Sequence, residues 1–260
     1  MKLRTHYVEK PWGRTELPAV FGSTGGRRIG EVWFEAPDGA ELPLLAKYIF
    51  TSERLTIQVH PNDEQARARG LAQGKNECWY ILDAESDATL GLGLTHELER
   101  DALREAALDG SIEELVEWQP VKPGDFFFVP AGTVHAIGGG ISLLEFQQNA
   151  DVTYRLYDYG RPRELHLEDA VAVANTKPFH RDERSGEVLV AGPHFALIRA
   201  RSVSDAERLS DRQRWVMPLE GGASSGEESA GPGECLLIES GAPIEISAGS
   251  LVLVGAAGAL

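Results

Sequence analysis

The chain has 260 residues and a net charge of −15, with 42% hydrophobic and 25% charged residues. That balance is ordinary for a globular domain and sets disorder aside, while the acidic excess disfavours nucleic acid and anionic membrane surfaces as partners. No apolar run approaches the roughly 18 residues of a membrane helix, the start MKLRTHYVEKPWG has no apolar signal core, and two cysteines are too few for a disulfide framework, so a reducing cytoplasm is expected.

In chain order, short apolar or alternating runs recur with turn residues between them: IGEVWFEA, LLAKYIF, LTIQVH, CWYILD, ATLGLGL, FFFVP, ISLLEF and TYRLYDY. Their spacing predicts a mainly β protein, a sandwich or barrel. Helical sequence is confined to a few places. Asn62 is placed to cap a short helix through Asp63 to Arg69, and Leu98 to Leu108 has apolar residues at helical spacing. Ser111 with Glu114 reads as a capping box before Leu115 and Val116, and another helix is expected from Leu167 to Ala174. A polar stretch from Thr176 to Glu187 then leads to a second β-rich segment. There GSLVLVGAAG (249–258) echoes GDFFFVPAG (124–132), which a duplication or the commonplace glycine before a strand would equally produce. The expected organisation is residues 1–175 and residues 188–260.

In TIQVHPND, Thr56, Gln58 and His60 share one strand face while Ile57 and Val59 share the other. A sheet with one face in water gives the same pattern with no function attached. Other polar groups in the first part want the same spot, however. Glu77 opens ECWYILD, His135 follows the turn Pro130-Ala131-Gly132, and Glu145 ends ISLLE. A barrel interior that gathers Gln58, His60, Glu77 and His135 offers two imidazoles, a carboxylate and an amide oxygen. That set suits zinc with a position left open, and less securely iron or manganese.

Four blocks then stand in order: IQVHPND, GKNECWYIL from Gly74 to Leu82, VPAGTVHAI, and LLEFQQNADVTYRLYDYGR from Leu143 to Arg161. Together they resemble type I mannose-6-phosphate isomerases of the short bacterial form, in the cupin superfamily. The resemblance implies a cupin-type β-barrel or jelly roll with a few short helices and a second, degenerate cupin-like β-domain. It implies one zinc ion per chain on Gln58, His60, Glu77 and His135, with Arg155 and Glu145 as catalytic residues. Lys47, Thr56 and Lys75 would bind the substrate phosphate. The activity implied is interconversion of mannose 6-phosphate and fructose 6-phosphate through a cis-enediol. Serine is usual where Thr56 stands, and KPWGR replaces a Tyr-Asp-Trp-Gly pattern. Plainer alternatives are solvated surface roles for Lys47 and Lys75 and a cross-strand ion pair for Arg155. At the level of the whole protein they are a non-catalytic, metal-containing sugar-binding protein or an iron-dependent cupin oxygenase, whose commoner ligand set has more histidines.

Overall fold

All eight apolar runs become strands, because β-branched and aromatic side chains pack well on a pleated surface and turn residues interrupt them at short intervals. The computed structural model describes residues 1–181 and 186–260, so the centre of the polar stretch Thr176 to Glu187 lies outside the described residues. Two units emerge. One comprises Lys10–Arg14 and Tyr48–Asp182, the other Met1–Glu9, Thr15–Lys47 and Glu183–Leu260. The boundary falls within the first strand, β1 (Arg4–Arg14), and within the third, β3 (Leu44–Phe50), which follows β2 (Ile29–Glu35).

The unit built around Tyr48–Asp182 carries most of the polar residues singled out above. It holds β4 (Ile57–Val59), α1 (Asp63–Arg67), β5 (Glu77–Ala84), β6 (Thr89–Leu94), α2 (Arg100–Asp109), α3 (Ile112–Leu115) and β7 (Val116–Pro120). Then come β8 (Phe126–Val129), β9 (His135–Ile137), β10 (Ile141–Gln148), β11 (Tyr154–Tyr157) and α4 (Leu167–Val173). A five-stranded sheet runs β11-β4-β9-β6-β7, and β10, β5 and β8 pair in that order. Trp79, Ile81, Phe127, Val129 and Leu143 from one sheet pack with Leu90, Leu92 and Ile137 from the other. The expected barrel is therefore present as two facing sheets, the jelly-roll solution, rather than as a closed ring of hydrogen bonds.

The outer face of the five-stranded sheet is also covered. Ile57, Val59, Ala136 and Leu156 pack with Leu103 and Ala107 of α2, Ile112 of α3 and Ala170 and Val173 of α4. Both faces of β4 are thus covered. The alternation in TIQVH does not separate water from oil: the apolar residues face the helices, and Gln58 and His60 face the other sheet.

Local details follow the residues. The Asn62 side chain accepts from the Gln65 N–H while Gln65 Oε1 accepts from the Asn62 N–H, each at 2.9 Å, closing a capping box on α1. The helix ends at Arg67, two residues earlier than expected. The capping box at Ser111 does not form. Gly110 ends α2 in a left-handed conformation (φ 88°), and Ser111 beyond it is already helical, so its carbonyl rather than its hydroxyl meets the Glu114 N–H.

In the other unit, β12 (Val188–Ala191), β13 (Phe195–Ala200), β14 (Arg214–Glu220), β17 (Leu236–Ile238) and β19 (Leu251–Ala257) form a sheet ordered β12-β13-β19-β14-β17. Between these strands in sequence, β15 (Ala223–Ser225), β16 (Glu228–Ala230) and β18 (Glu245–Ile246) make a small sheet. One short helix there, α5 (Val203–Ala206), went unforeseen despite its own capping box between Ser202 and Asp205. The echo GDFFFV and GSLVLV is real at the turn: Gly124 and Gly249 both adopt positive φ, 88° and 78°, before β8 and β19. Cys78 and Cys235 are free and buried, one in each unit.

Candidate metal centre

Three strand ends converge. His60 lies just beyond β4, Glu77 opens β5 in the facing sheet, and His135 opens β9 directly opposite Gln58. His60 Nε2 stands 3.3 Å from Glu77 Oε2, and His135 Nε2 stands 3.2 Å from Glu77 Oε1. Ligand atoms of the three residues all lie within 4.8 Å of one another. Two ligands held about 2.1 Å from a tetrahedral zinc would be about 3.4 Å apart, which the two histidine–carboxylate spacings already match, while the widest pair, within 4.8 Å, would draw in.

The electrostatics point the same way. The Thr133 carbonyl accepts from His135 Nδ1 at 2.9 Å, which assigns the proton to Nδ1 and leaves a lone pair on Nε2 facing the Glu77 carboxylate. Two lone pairs at 3.2 Å repel unless a cation lies between them. Among the described residues, both ring nitrogens of His60 and Oε2 of Glu77 are buried without a hydrogen bond. Burial, helped by the Lys75 charge, pushes the His60 pKa down to about 3, and burial lowers His135 as well. Burial alone would raise Glu77, but Lys75 and the two imidazoles hold its carboxyl well below the usual range. Neutral imidazoles beside an ionised carboxylate are the donor set a divalent cation takes, so these residues fit zinc.

Gln58 completes the ring. Its amide end lies 3.1 Å from His135 Nε2, and its oxygen accepts from the Thr56 hydroxyl at 2.8 Å. A hydroxyl both donates and accepts, so half a turn of the amide would present the oxygen to a cation while its NH2 donates to Thr56. Lys75 Nζ lies 3.3 Å from Glu77 Oε2 and is 7% exposed. Lys47, at the end of the other unit, is equally buried, 3.7 Å from Glu31 Oε1, with Trp33 Nε1 donating to the same carboxylate. Burial rules out the solvated-surface alternative for both lysines.

Arg155 and Glu145 reach this space by register. On β11, Arg155 is opposite Gln58, and across an antiparallel ladder opposite residues share a face. Its backbone is clasped on both sides by His166, whose N–H donates to the Arg155 carbonyl at 2.9 Å while Nδ1 accepts the Arg155 N–H at 3.2 Å. The guanidinium has no ion pair or hydrogen bond among the described residues, so the cross-strand ion pair is not made there. On β10, Glu145 is opposite Trp79, whose ring meets the edge of His135, and Gln147 is opposite Glu77. Pairwise contacts link Thr56 to Gln58, Gln58 to His135, and His135, His60 and Lys75 to Glu77, while Arg155 and Glu145 share strand faces with Gln58 and Glu77. Sequence reasoning missed His166 and Gln147. The latter had a signal, since it lies two residues beyond Glu145 on the same strand face.

A hydrogen-bonded clasp ties the three ligand segments together. The His60 carbonyl accepts from Gly132 N–H at 2.8 Å, and the Pro61 carbonyl from Lys75 N–H at 3.0 Å. Asn76 Oδ1 accepts from Ala131 N–H at 3.0 Å, and Asn76 Nδ2 donates to Gln148 Oε1 at 2.7 Å. Asp63 Oδ1 accepts from Gly74 N–H at 2.8 Å and from Gln148 Nε2 at 3.1 Å.

No family model matches the chain. The mannose-6-phosphate isomerase ManA of Bacillus subtilis (strain 168) is 44% identical over 165 residues, 58% of this chain and 52% of its own length. The chain thus spans about half the length of the first curated relatives it matches. A putative mannose-6-phosphate isomerase, YvyI, from the same organism is 33% identical over 254 residues, covering 79% of this chain and 80% of the relative. Among solved structures, the mannose 6-phosphate isomerase from Bacillus subtilis superposes with TM-score 0.80 at 27% identity, covering 98% of each chain. A zinc-bound mannose 6-phosphate isomerase superposes with TM-score 0.72 at 17% identity, covering 100% of this chain and 99% of the other, which is a likeness of fold.

Proposed function

The chain belongs to the mannose-6-phosphate isomerase family, and on that premise we propose that it is a metal-dependent aldose-ketose isomerase. Its reaction would interconvert mannose 6-phosphate and fructose 6-phosphate through a cis-enediol, with one zinc ion per chain on Gln58, His60, Glu77 and His135. The observation that carries this reading is the buried donor set with unsatisfied lone pairs, faced by an arginine that has no ion pair among the described residues. Bound there, zinc would supply Lewis-acid polarisation of the sugar oxygens and hold the open chain in place.

The chain's own residues account for the rest. Moving a proton between neighbouring carbons needs a base, a stabiliser of the enediolate and shelter from water. Glu145, buried on the face of Glu77, is assigned the proton. Arg155, always charged and multi-donor, is assigned the developing oxyanion. The buried cations Lys75 and Lys47, with the Thr56 hydroxyl, are assigned the phosphate. Residues 1–175 would supply the metal-binding catalytic part, with Met1–Glu9 and Thr15–Lys47 grouping by contact with the later residues instead, and residues 188–260 would be a degenerate cupin-like part, as the shared glycine-led strands suggest. Among the described residues, no helix is long and apolar enough to cross a membrane. A cytoplasmic location belongs to the same proposal.

A coupled assay of fructose 6-phosphate formation from mannose 6-phosphate, with metal analysis of the same sample, tests this. Metal-dependent turnover is expected. Bound metal and sugar affinity without turnover would establish the non-catalytic alternative instead.

A further inference from the structure

We propose that Gln147 is a substrate-positioning residue whose amide oxygen accepts a hydrogen bond from a sugar hydroxyl at a carbon that does not react. Its role rests on the isomerase reading of the site and adds a contact to it. Gln147 is 2% exposed and lies opposite Glu77 in the β10–β5 ladder, two residues from Glu145. Leu143, Glu145 and Gln147 therefore share the face of Glu77, Trp79 and Ile81, and that face packs on the five-stranded sheet carrying His60 and His135.

The orientation of its amide is fixed. Nε2 donates to the Gln148 carbonyl at 2.9 Å, and the opposite orientation would set oxygen against oxygen. The other end, Oε1, is buried with no hydrogen-bond partner among the described residues. A buried acceptor without a donor destabilises a fold, and such atoms persist where something outside the chain supplies the partner. The neighbouring orphans on His60 and Glu77 suit a cation. Gln147 needs a different complement: a neutral amide oxygen outside a ligand set already supplied by four residues is matched by an O–H donor. An open-chain sugar phosphate carries such donors at C3, C4 and C5, where hydrogen bonding positions the chain without opposing charge development at C1 and C2.

Gln147→Met keeps the length and removes both polar ends. In the zinc-loaded variant, kcat/KM for mannose 6-phosphate should fall about tenfold, as for a neutral hydrogen bond whose partner is left unpaired. Bound zinc should stay at the level of the parent protein, and Tm should stay the same or rise, since an unsatisfied buried acceptor is gone. A residue that only supports the fold would lower Tm instead. With the 3-, 4- and 5-deoxy analogues of mannose 6-phosphate, the variant's penalty should shrink below about threefold for the one analogue that lacks the bound hydroxyl. Unchanged kcat/KM, a penalty equal for every analogue, or loss of zinc and Tm together with activity would each overturn the role. If the parent protein itself fails to turn over mannose 6-phosphate, the isomerase reading falls, and this role falls with it.

Discussion

An imidazole ligates a cation only while one ring nitrogen keeps its lone pair, and burial with the Lys75 charge preserves that state at His60. The sign of the linkage is definite. An unfolded chain takes up a proton on this histidine below about pH 6.5, whereas the folded, metal-free protein resists until about 3. The unfolded state binds more protons in that window, so folding stability falls as pH falls through it. The chelated protein should therefore show a declining Tm from pH 6.5 downwards, and His60→Gln should flatten the decline; a pH series of thermal melts reads both. At Arg155, the lysine replacement keeps the charge but loses the planar fork of donors, so kcat should drop well beyond any rise in KM, by about tenfold or more. Steady-state kinetics separate the two. Glu145→Gln should retain metal and substrate while exchange of the carbon-bound hydrogen with solvent, followed by NMR in deuterated water, stops. The ligand residues were legible because each sits at a strand edge within a distinctive block. For Gln147 the shared strand face with Glu145 was legible, but its role was not, since nothing in a sequence says that one end of an amide is tied and the other bare.

At the scale of elements, strands and their alternation could be read directly, but not which face was inward. The helical layer over Ile57 and Val59 comes from residues 103 to 173, far along the chain, and only the fold brings it there. Ser111 illustrates the opposite failure: its capping pattern was plain, yet after the left-handed Gly110 it is already helical and its side chain makes no cap. The clasp between α1 and β5 depends on a residue with no side chain at all. A Cβ on Gly74 would lie 2.4 Å from the Asn62 carbonyl carbon and 2.5 Å from the Pro61 oxygen, both backbone atoms that cannot swing aside. Gly74→Ala should therefore destabilise by about 1–3 kcal/mol and weaken zinc retention, because the displaced segment follows His60 directly. Urea unfolding and competition with a chromogenic chelator measure the two effects. A normal zinc affinity in that variant would show that the clasp does not set the ligand geometry.

At the scale of the molecule, the metal site joins two sheets, since His60 and His135 come from one and Glu77 from the other. A ligand that binds only the folded state adds about 4 kcal/mol at a thousandfold excess over its Kd. Chelation should lower the melting temperature by roughly 10 °C, with zinc restoring it, as differential scanning calorimetry would record. The two cysteines give each unit its own clock. Cys78, beside Glu77 in sequence but on the other face of β5, donates to the Phe146 carbonyl at 3.4 Å, and burial holds its thiol and that of Cys235 far above the ordinary range. Neither is a thiolate at neutral pH, so an alkylating reagent reaches each only when its unit opens. Mass-spectrometric labelling of the two cysteine peptides would then time the opening of each half separately. Zinc should slow the Cys78 clock and leave the Cys235 clock running at its own rate.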